Sequence, residues 1–382
     1  MEVDLDAIGQ NVRIICQNLL PTTELMAVVK ADGYGHGAEA VARAALHHGA
    51  AWLGLGNVRE ALEIREAGIT APILVLTPPP KWHAAAAVSQ GLRVAVCTED
   101  LARALSKEAQ GRNLTARVHV KVDTGMGRLG VLPCQAVDFI SRISRLPNLE
   151  IEGVFSHFAT ADRADQTYAK QQFQLFEQML QRLAAAGIRI PIKHMANTAA
   201  ALNLPETQLS IVRSGIAIYG LGIGENPRQR KPNGEQALNL EPAMELKASV
   251  SYVHRVAAGS AVSYNAVYVT SKATNIVTLP IGYAEGYSRL LSGSGEVLLG
   301  GKRYPLVGNI CMSQCMADVG DDVIDIGETA VFLGEQGCEY IGADEIAAKM
   351  GTIHYEVICR LSGRVPRVYK GKEAERQGLG SS

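Results

Sequence analysis

Net charge is almost missing from this chain of 382 residues: 37 lysines and arginines nearly cancel 38 aspartates and glutamates, for a formal −1. Without a field of one sign, neither nucleic acid nor an anionic membrane surface is an expected partner. Long apolar runs are missing too, and none approaches the roughly 18 residues that suggest a membrane-spanning helix. The opening Met-Glu-Val-Asp does not read as a signal peptide, so a cytoplasmic location is expected. The seven cysteines are scattered, and only Cys311 and Cys315 lie close together. That spacing in a strand-rich region is no metal pattern, so reduced thiols and no metal site are expected. No internal repeat or low-complexity segment stands out.

Apolar residues, at 47%, are abundant. They allow a large core, and the length suggests about two domains. Short apolar runs recur at 26–29, 52–56, 72–76, 93–97, 117–122, 151–158, 190–195 and 210–219. Stretches of helical period separate most of them, among them 37–49 and 57–68, each ending in Gly, and the long polar-faced 165–187. Eight strand signals in about 220 residues fit a closed (β/α)8 barrel better than an open doubly wound sheet. A helix from LDAIGQNVRIICQNLL is expected before the first barrel strand. Residues 224–239 are polar and carry Pro, Gly and Arg, so they read as a linker. Beyond them the pattern is mostly strand, with a Gly-Gly hairpin signal in LLGGKRYPLV and one helix near 342–350. The fold class is therefore α/β: a barrel over 1–235, then a mostly β domain over 236–382.

Barrel chemistry sits at the C-terminal ends of the strands. The first strand runs into Lys30, followed by the glycine-rich Ala31-Asp32-Gly33-Tyr34-Gly35-His36-Gly37. Glycines let backbone approach a ligand, and partial burial lowers a lysine pKa toward Schiff-base competence. The fifth strand ends in Lys121-Val122-Asp123-Thr124-Gly125-Met126-Gly127-Arg128, the sixth in Ser156-His157, and the seventh in His194-Met195-Ala196-Asn197-Thr198. Arg213-Ser214-Gly215-Ile216 lies on the eighth. Loops after the last two strands commonly bind phosphate, and the Thr198 hydroxyl with the Gly215 and Ile216 N–H groups suits that task. A lysine and a phosphate site at one barrel mouth match a phosphorylated aldehyde cofactor.

Taken together, VVKADGYGHG (28–37), KVDTGMGRLG (121–130), SHFATAD (156–162), HMANTAA (194–200), VRSGIAIYGL (212–221), VSY (262–264), PIGYAEGY (280–287), VGNICM (307–312) and YEVICRLSGRVPR (355–367) resemble the alanine racemase family. The match runs in order along nearly the whole chain. It implies pyridoxal 5'-phosphate (PLP) held covalently by Lys30. It also implies Tyr264 as a second base supplied by the other subunit of a head-to-tail homodimer. Arg213 resembles the partner of the pyridine nitrogen, with His157 beside it. Tyr34, Thr198, Gly215, Ile216 and Tyr355 resemble the phosphate-binding set. Arg128 and Met312 match positions that contact the second base and the substrate carboxylate. Lys121 sits where some members carry a carbamylated lysine, while Asp162, Tyr283 and Arg289 resemble the lining of the access corridor. The expected product, D-alanine, is a peptidoglycan precursor.

Elementary chemistry agrees with these roles. Racemisation removes the α-proton from one face and returns one to the other, so two bases on opposite sides are the simplest design. An unperturbed tyrosine titrates near pH 10 and needs a cationic neighbour, for which Arg128 is the candidate. Arg213 stays protonated and cannot give its proton to the ring nitrogen, which leaves the cofactor a weaker electron sink. Two positions depart from the family: Ser313 stands where Asp is usual and Asn309 where Arg is frequent. Both remove charge near the corridor and bear on substrate preference and rate. The alternatives are a racemase of serine or a broader small amino-acid range, a PLP decarboxylase of the same fold type, and a non-catalytic PLP-binding homeostasis protein. The last of these lacks a β domain, and residues 240–382 with Tyr264 argue against it.

Overall fold

The computed structural model describes residues 1–222, 238–361 and 363–380. The linker reading of 224–239 and the boundary at 235/236 fall almost wholly outside them. Two compact units emerge: Ala7–Gly33 with Ala38–Glu241, and Met1–Asp6 with Tyr34–Gly37 and Pro242–Ser382.

The first unit opens with helix α1 (Leu5–Gln17), as its apolar period predicts. Strand β1 (Glu2–Asp4) precedes it and belongs to the second unit. The barrel strands are β2 (Glu24–Val28), β3 (Ala50–Leu55), β4 (Ile73–Val75), β5 (Arg93–Val96), β6 (Ala116–Lys121), β7 (Leu149–Phe155), β8 (Ile192–His194) and β9 (Ile211–Ser214). They pair in parallel from β8 through β2 to β9. The ring closes between β8 and β9 through Ser210 N–H to Lys193 O at 2.9 Å and Arg213 N–H to Ala196 O at 3.0 Å. All eight predicted strands are present, with the last shorter than expected because Ile216–Tyr219 turns into a 3-10 helix. Helices Ala38–His47, Val58–Glu66 and Thr167–Ala185 fill connectors as their period indicates. Met26, Trp52, Leu74 and Ile211 form a dry cluster inside the barrel.

The second unit is a ten-stranded sheet. Along it run Tyr252–Val256, Thr274–Leu279, Cys315–Gly320, Lys302–Val307, Glu296–Leu299, Thr329–Gln336, Met244–Ser249, β1 and Val368–Lys370, with Glu339–Ile341 beside Thr329–Gln336. Gly300 and Gly301, both at positive φ (55° and 76°), make the hairpin turn that only glycine or asparagine adopts easily. The chain's first residues are drawn into this sheet because Glu2–Asp4 pairs with both Met244–Ser249 and Val368–Lys370. One expectation needs correction: beside Ala343–Met350 the unit has two further helices, His354–Arg360 and Lys372–Arg376. Both are under two full turns long, too short for a hydrophobic period to register.

Gly286 fixes how the His354–Arg360 helix seats. Its φ is +98°, and a Cβ there would overlap the Arg360 carbonyl oxygen. Replacing Gly286 with Ala is expected to cost about 2–4 kcal/mol through left-handed strain plus backbone displacement. Chemical denaturation of the variant checks this; an unchanged midpoint would show that the helix reseats freely.

Candidate active site

Lys30 begins where β2 runs out, and the backbone then does something unusual. Ala31 (φ 51°, ψ 49°), Asp32 (52°, 51°) and Gly33 (61°, 42°) form a left-handed turn that continues into Tyr34 (φ 51°). Each non-glycine residue in that region costs roughly 1–2 kcal/mol. Three bonds compensate: Gly33 N–H to Val29 O, Ala31 N–H to Glu60 Oε1, and Ala38 N–H to Asp32 Oδ1, each 2.9 Å. The other Glu60 oxygen accepts from Gly56 N–H at 2.9 Å. Gly56 in turn passes so near that a Cβ there would lie 3.5 Å from Lys30 Cβ. Strain fixed by so many partners marks a position kept for function.

At the barrel centre Arg213 is fully buried. Its Nη2 donates to Ser156 O and Met195 O, both at 2.8 Å, and reaches His157 Nδ1 at 3.1 Å. Its Nη1 lies 2.8 Å from His194 Nδ1. A guanidinium only donates, so His194 Nδ1 accepts and its proton is on Nε2. That Nε2 lies 2.8 Å from His119 Nδ1, and His119 Nε2 lies 3.1 Å from Glu152 Oε2. The whole line is thereby ordered: Arg213 donates to His194, His194 to His119, and His119 to Glu152. Burial lowers the pKa of both histidines, consistent with two neutral rings. Glu152 is held in turn by Arg93, whose guanidinium lies over the Trp52 ring. Burial pulls Arg213 down to about 9, which leaves it charged at neutral pH. Among the described residues its Nε–H donates to no protein group.

His157 is where the charges converge. Its pKa is held well below the ordinary value, first by burial and then by the charges of Arg213, Lys121, Arg128 and Lys30. Lys121 is pushed down to about 7 by burial, with Arg213 adding to the effect. Asp123 is close enough to raise Lys121, but its Oδ1 accepts from the N–H groups of Gly125, Met126 and Gly127 at 2.9–3.1 Å. It thus shapes the loop that presents exposed Arg128. Buried Gln172 ties down the next loop, accepting from Ala159 N–H at 2.9 Å and donating to His157 O at 3.2 Å.

Beside Arg213, the hydroxyls of Thr198 and Ser214 share a hydrogen bond of 2.8 Å. The adjoining N–H groups of Gly215 and Ile216 donate to no protein group among the described residues. Such unspent donors at the start of a helical turn want an anion.

In the second unit, the rings of Tyr34 and Tyr355 lie 6.2 Å apart, and burial pushes the Tyr34 phenol up. The segment 308–312 collects a second group. Asn309 donates to Tyr264 O at 2.9 Å, Tyr283 N–H donates to Cys311 O at 3.2 Å, and Ala284 N–H donates to Met312 O at 2.9 Å. Ile310 N–H donates to Ser292 Oγ at 3.0 Å, just beyond the 3-10 turn Arg289–Leu291. Tyr264, Tyr283, Arg289 and Met312 are thus neighbours along one exposed edge of this unit. Asp162 is exposed on the loop after β7, and no bond among the described residues joins it to the other named residues.

Several contributors escape a reading of motifs. His119, Glu152, Arg93 and Gln172 lie within strands or a helix, away from the strand ends where chemistry is sought. One signal was available: His119 and Lys121 are two apart on β6 and so share a face. Gly153 is its counterpart on β7, since a Cβ there would crowd the His119 ring at 2.5 Å.

Arg213, Arg128, Lys30 and the partly deprotonated Lys121 around one neutral histidine, with two unspent backbone donors and an unspent Nε–H, fit a phosphorylated ring that carries both anionic groups and a basic nitrogen. A barrel with this mouth, joined to a β unit that exposes its own tyrosine, defines a PLP-dependent amino-acid racemase. Residues 3–222 match the alanine racemase N-terminal domain and residues 243–369 its C-terminal domain. The chain is 47% identical over 381 residues to the alanine racemase of Desulfosudis oleivorans, covering 96% of this chain and 95% of that one. It is 45% identical over 371 residues to that of Desulfovibrio desulfuricans, covering 96% and 97%. The crystal structure of alanine racemase from Bacillus anthracis with bound L-Ala-P superposes with a TM-score of 0.91 at 39% identity, over 97% of this chain and 95% of that one. This chain belongs to the alanine racemase family.

Lys121 generates a pH prediction. Its folded pKa of about 7 lies below the ordinary 10.5. Between those values the unfolded chain binds a proton that the folded one does not, so stability rises with pH across that window and levels off above it. Relative to Lys121→Met, the native protein is expected to gain about 1.4 kcal/mol per pH unit there. Urea unfolding from pH 7 to pH 10 measures the difference, and parallel curves would refute it.

Proposed function

We propose that this chain interconverts L- and D-alanine by a two-base mechanism, with Lys30 on one face of the substrate and Tyr264 of the partner subunit on the other. The observation that carries it is the convergence of Lys30, Lys121, Arg128 and Arg213 on neutral His157. That surplus of positive charge suits a phosphorylated cofactor and a substrate carboxylate at one strand-end lysine.

Bound PLP supplies the electron sink that makes the α-proton removable. The remaining work belongs to the chain's own groups. Lys30 holds the cofactor, and its Nζ takes or returns the proton on its side. Tyr264 Oη does so on the opposite side. Arg128 and Met312 contact the substrate carboxylate, and Arg128 supplies the charge that eases loss of the phenol proton. Arg213 would offer its unspent Nε–H to the ring nitrogen without protonating it, with His157 alongside. Thr198, Gly215, Ile216, Tyr34 and Tyr355 hold the phosphate. Asp162, Tyr283 and Arg289 line the access corridor. Lys121, neutral for much of the time near pH 7, can take up carbon dioxide as a carbamate.

No helix among the described residues is long and apolar enough to cross a membrane, and we place the enzyme in the cytoplasm as a head-to-tail homodimer that supplies D-alanine for peptidoglycan precursors. Because the two bases come from different subunits, subunit mixing tests the arrangement. Lys30→Ala and Tyr264→Phe are each expected to be inactive. Mixed after dissociation, they form hybrids with one native site, recovering about a quarter of native activity from random pairing. Recovery of none would mean that both bases act within one subunit, or that one of them is not a base. Borohydride reduction of the PLP-loaded protein, followed by peptide mapping, is expected to label Lys30.

A further inference from the structure

Little of Tyr264's own surface holds it in place. Its side chain is 71% exposed. It opens a short turn in which Ser263 (φ 71°), Asn265 (φ 63°) and Ala266 (φ 48°) are all left-handed. Such residues cost roughly 1–3 kcal/mol each and persist only where neighbours over-determine them. The neighbour here is the segment around Asn309. Asn309 Nδ2 donates to Tyr264 O at 2.9 Å, and Asn309 O accepts from Ser263 Oγ at 2.7 Å. Asn309 therefore holds the Ser263 hydroxyl through its main-chain carbonyl and the Tyr264 carbonyl through its side-chain amide. Gly308 (φ 71°) permits this approach, since a Cβ there would lie 2.6 Å from Ser263 Cβ and 2.8 Å from Val262 O. Ile310 N–H to Ser292 Oγ anchors the far end.

We propose that Asn309 is a positioning residue for Tyr264, whose amide sets where the phenol oxygen is delivered. The inference rests on the reading of Tyr264 as a base. Proton transfer is steep in distance, and a base must be held within about half an ångström of its productive place. Packing within its own subunit does not hold this exposed ring, so the backbone beneath it sets how the phenol is presented. A neutral donor does this without altering the charge around the phenol. An aspartate in its place would set a carboxylate oxygen against the Tyr264 carbonyl, and leucine would offer no donor.

The test uses PLP-loaded Asn309→Asp, Asn309→Leu and Asn309→Gln with α-deuterated L- and D-alanine. Enantiomers are equal in free energy, so kcat/KM falls equally in both directions whatever the cause. The deuterium effect tells the two bases apart. For Asp and Leu, kcat/KM is expected to drop roughly two- to tenfold, the worth of one hydrogen bond. The deuterium effect should rise only for the enantiomer whose α-hydrogen leaves toward Tyr264. Cofactor absorbance should stay native, and Gln should recover part of the loss. Ser263→Ala, a milder change to the same brace, should move the same isotope effect less. Isotope effects that stay native, or that rise equally for both enantiomers, overturn the proposal. Tyr264→Phe in the same assay separates the two claims. If that variant still turns over, the two-base reading has failed. If it is inactive while the Asn309 variants keep native isotope effects, the role of Asn309 alone has failed.

Discussion

Burying the guanidinium of Arg213 is the constraint on which the barrel interior depends. Removing such a charge from water costs several kcal/mol even after relaxation, and no carboxylate among the described residues bonds it directly. Two carbonyls and two histidine nitrogens take its protons instead. This choice leaves the charge solvated but not neutralised. An aspartate in contact would have cancelled the field that a ring nitrogen or a nearby anion feels. The compensating carboxylate, Glu152, is set two imidazoles away, and the line of neutral rings orders every proton between them. Phe155 stacks on His194 at 4.8 Å and fixes the ring planes that this order requires.

The same economy extends to the barrel mouth. Lys30, Lys121 and Arg128 share the neighbourhood of His157 with Arg213, and mutual repulsion is the natural result. Lys121 yields by losing its proton near neutrality. The rest is relieved only when negative charge arrives. A site that carries such a surplus, beside a left-handed turn at Ala31 and Asp32, gives up folding stability that ligand binding can restore. The same charge surplus and strain favour an anionic ligand.

How much of this was legible in the sequence depended on length scale. Strands of the barrel announced themselves as apolar runs, and Lys30, His157, Thr198 and Arg213 were found because they end or cap those runs. The Gly-Gly hairpin at 300–301 was legible because its turn chemistry is local. His119, Glu152 and Arg93 were not, since a polar residue inside a strand shows its partner only once the barrel closes and brings β5 to β7 and β6 to β8. Residues 1–6 and 34–37 likewise gave no local sign of joining the second unit, because their partners lie more than 200 residues away. Ser313 and Asn309 had looked like lost charges when set against the family pattern. In the structure the Asn309 side chain has a definite task, a neutral donor to the Tyr264 carbonyl.

The two proposed bases are therefore held by different means. Lys30 leads from a barrel strand into strained backbone held by Glu60 and Asp32. Tyr264 is flanked by strained backbone too, but its ring projects from an exposed turn braced at Asn309, whose Nδ2 donates to Tyr264 O and whose carbonyl accepts from Ser263 Oγ. A racemase cannot favour one hand of its substrate at equilibrium, so neither base can be left looser than the other without slowing both directions alike. On the barrel side that demand is met by the hydrogen-bonded turn that closes the strand. On the exposed side no burial is available within one subunit, and hydrogen bonds to the main chain have to supply the equivalent precision.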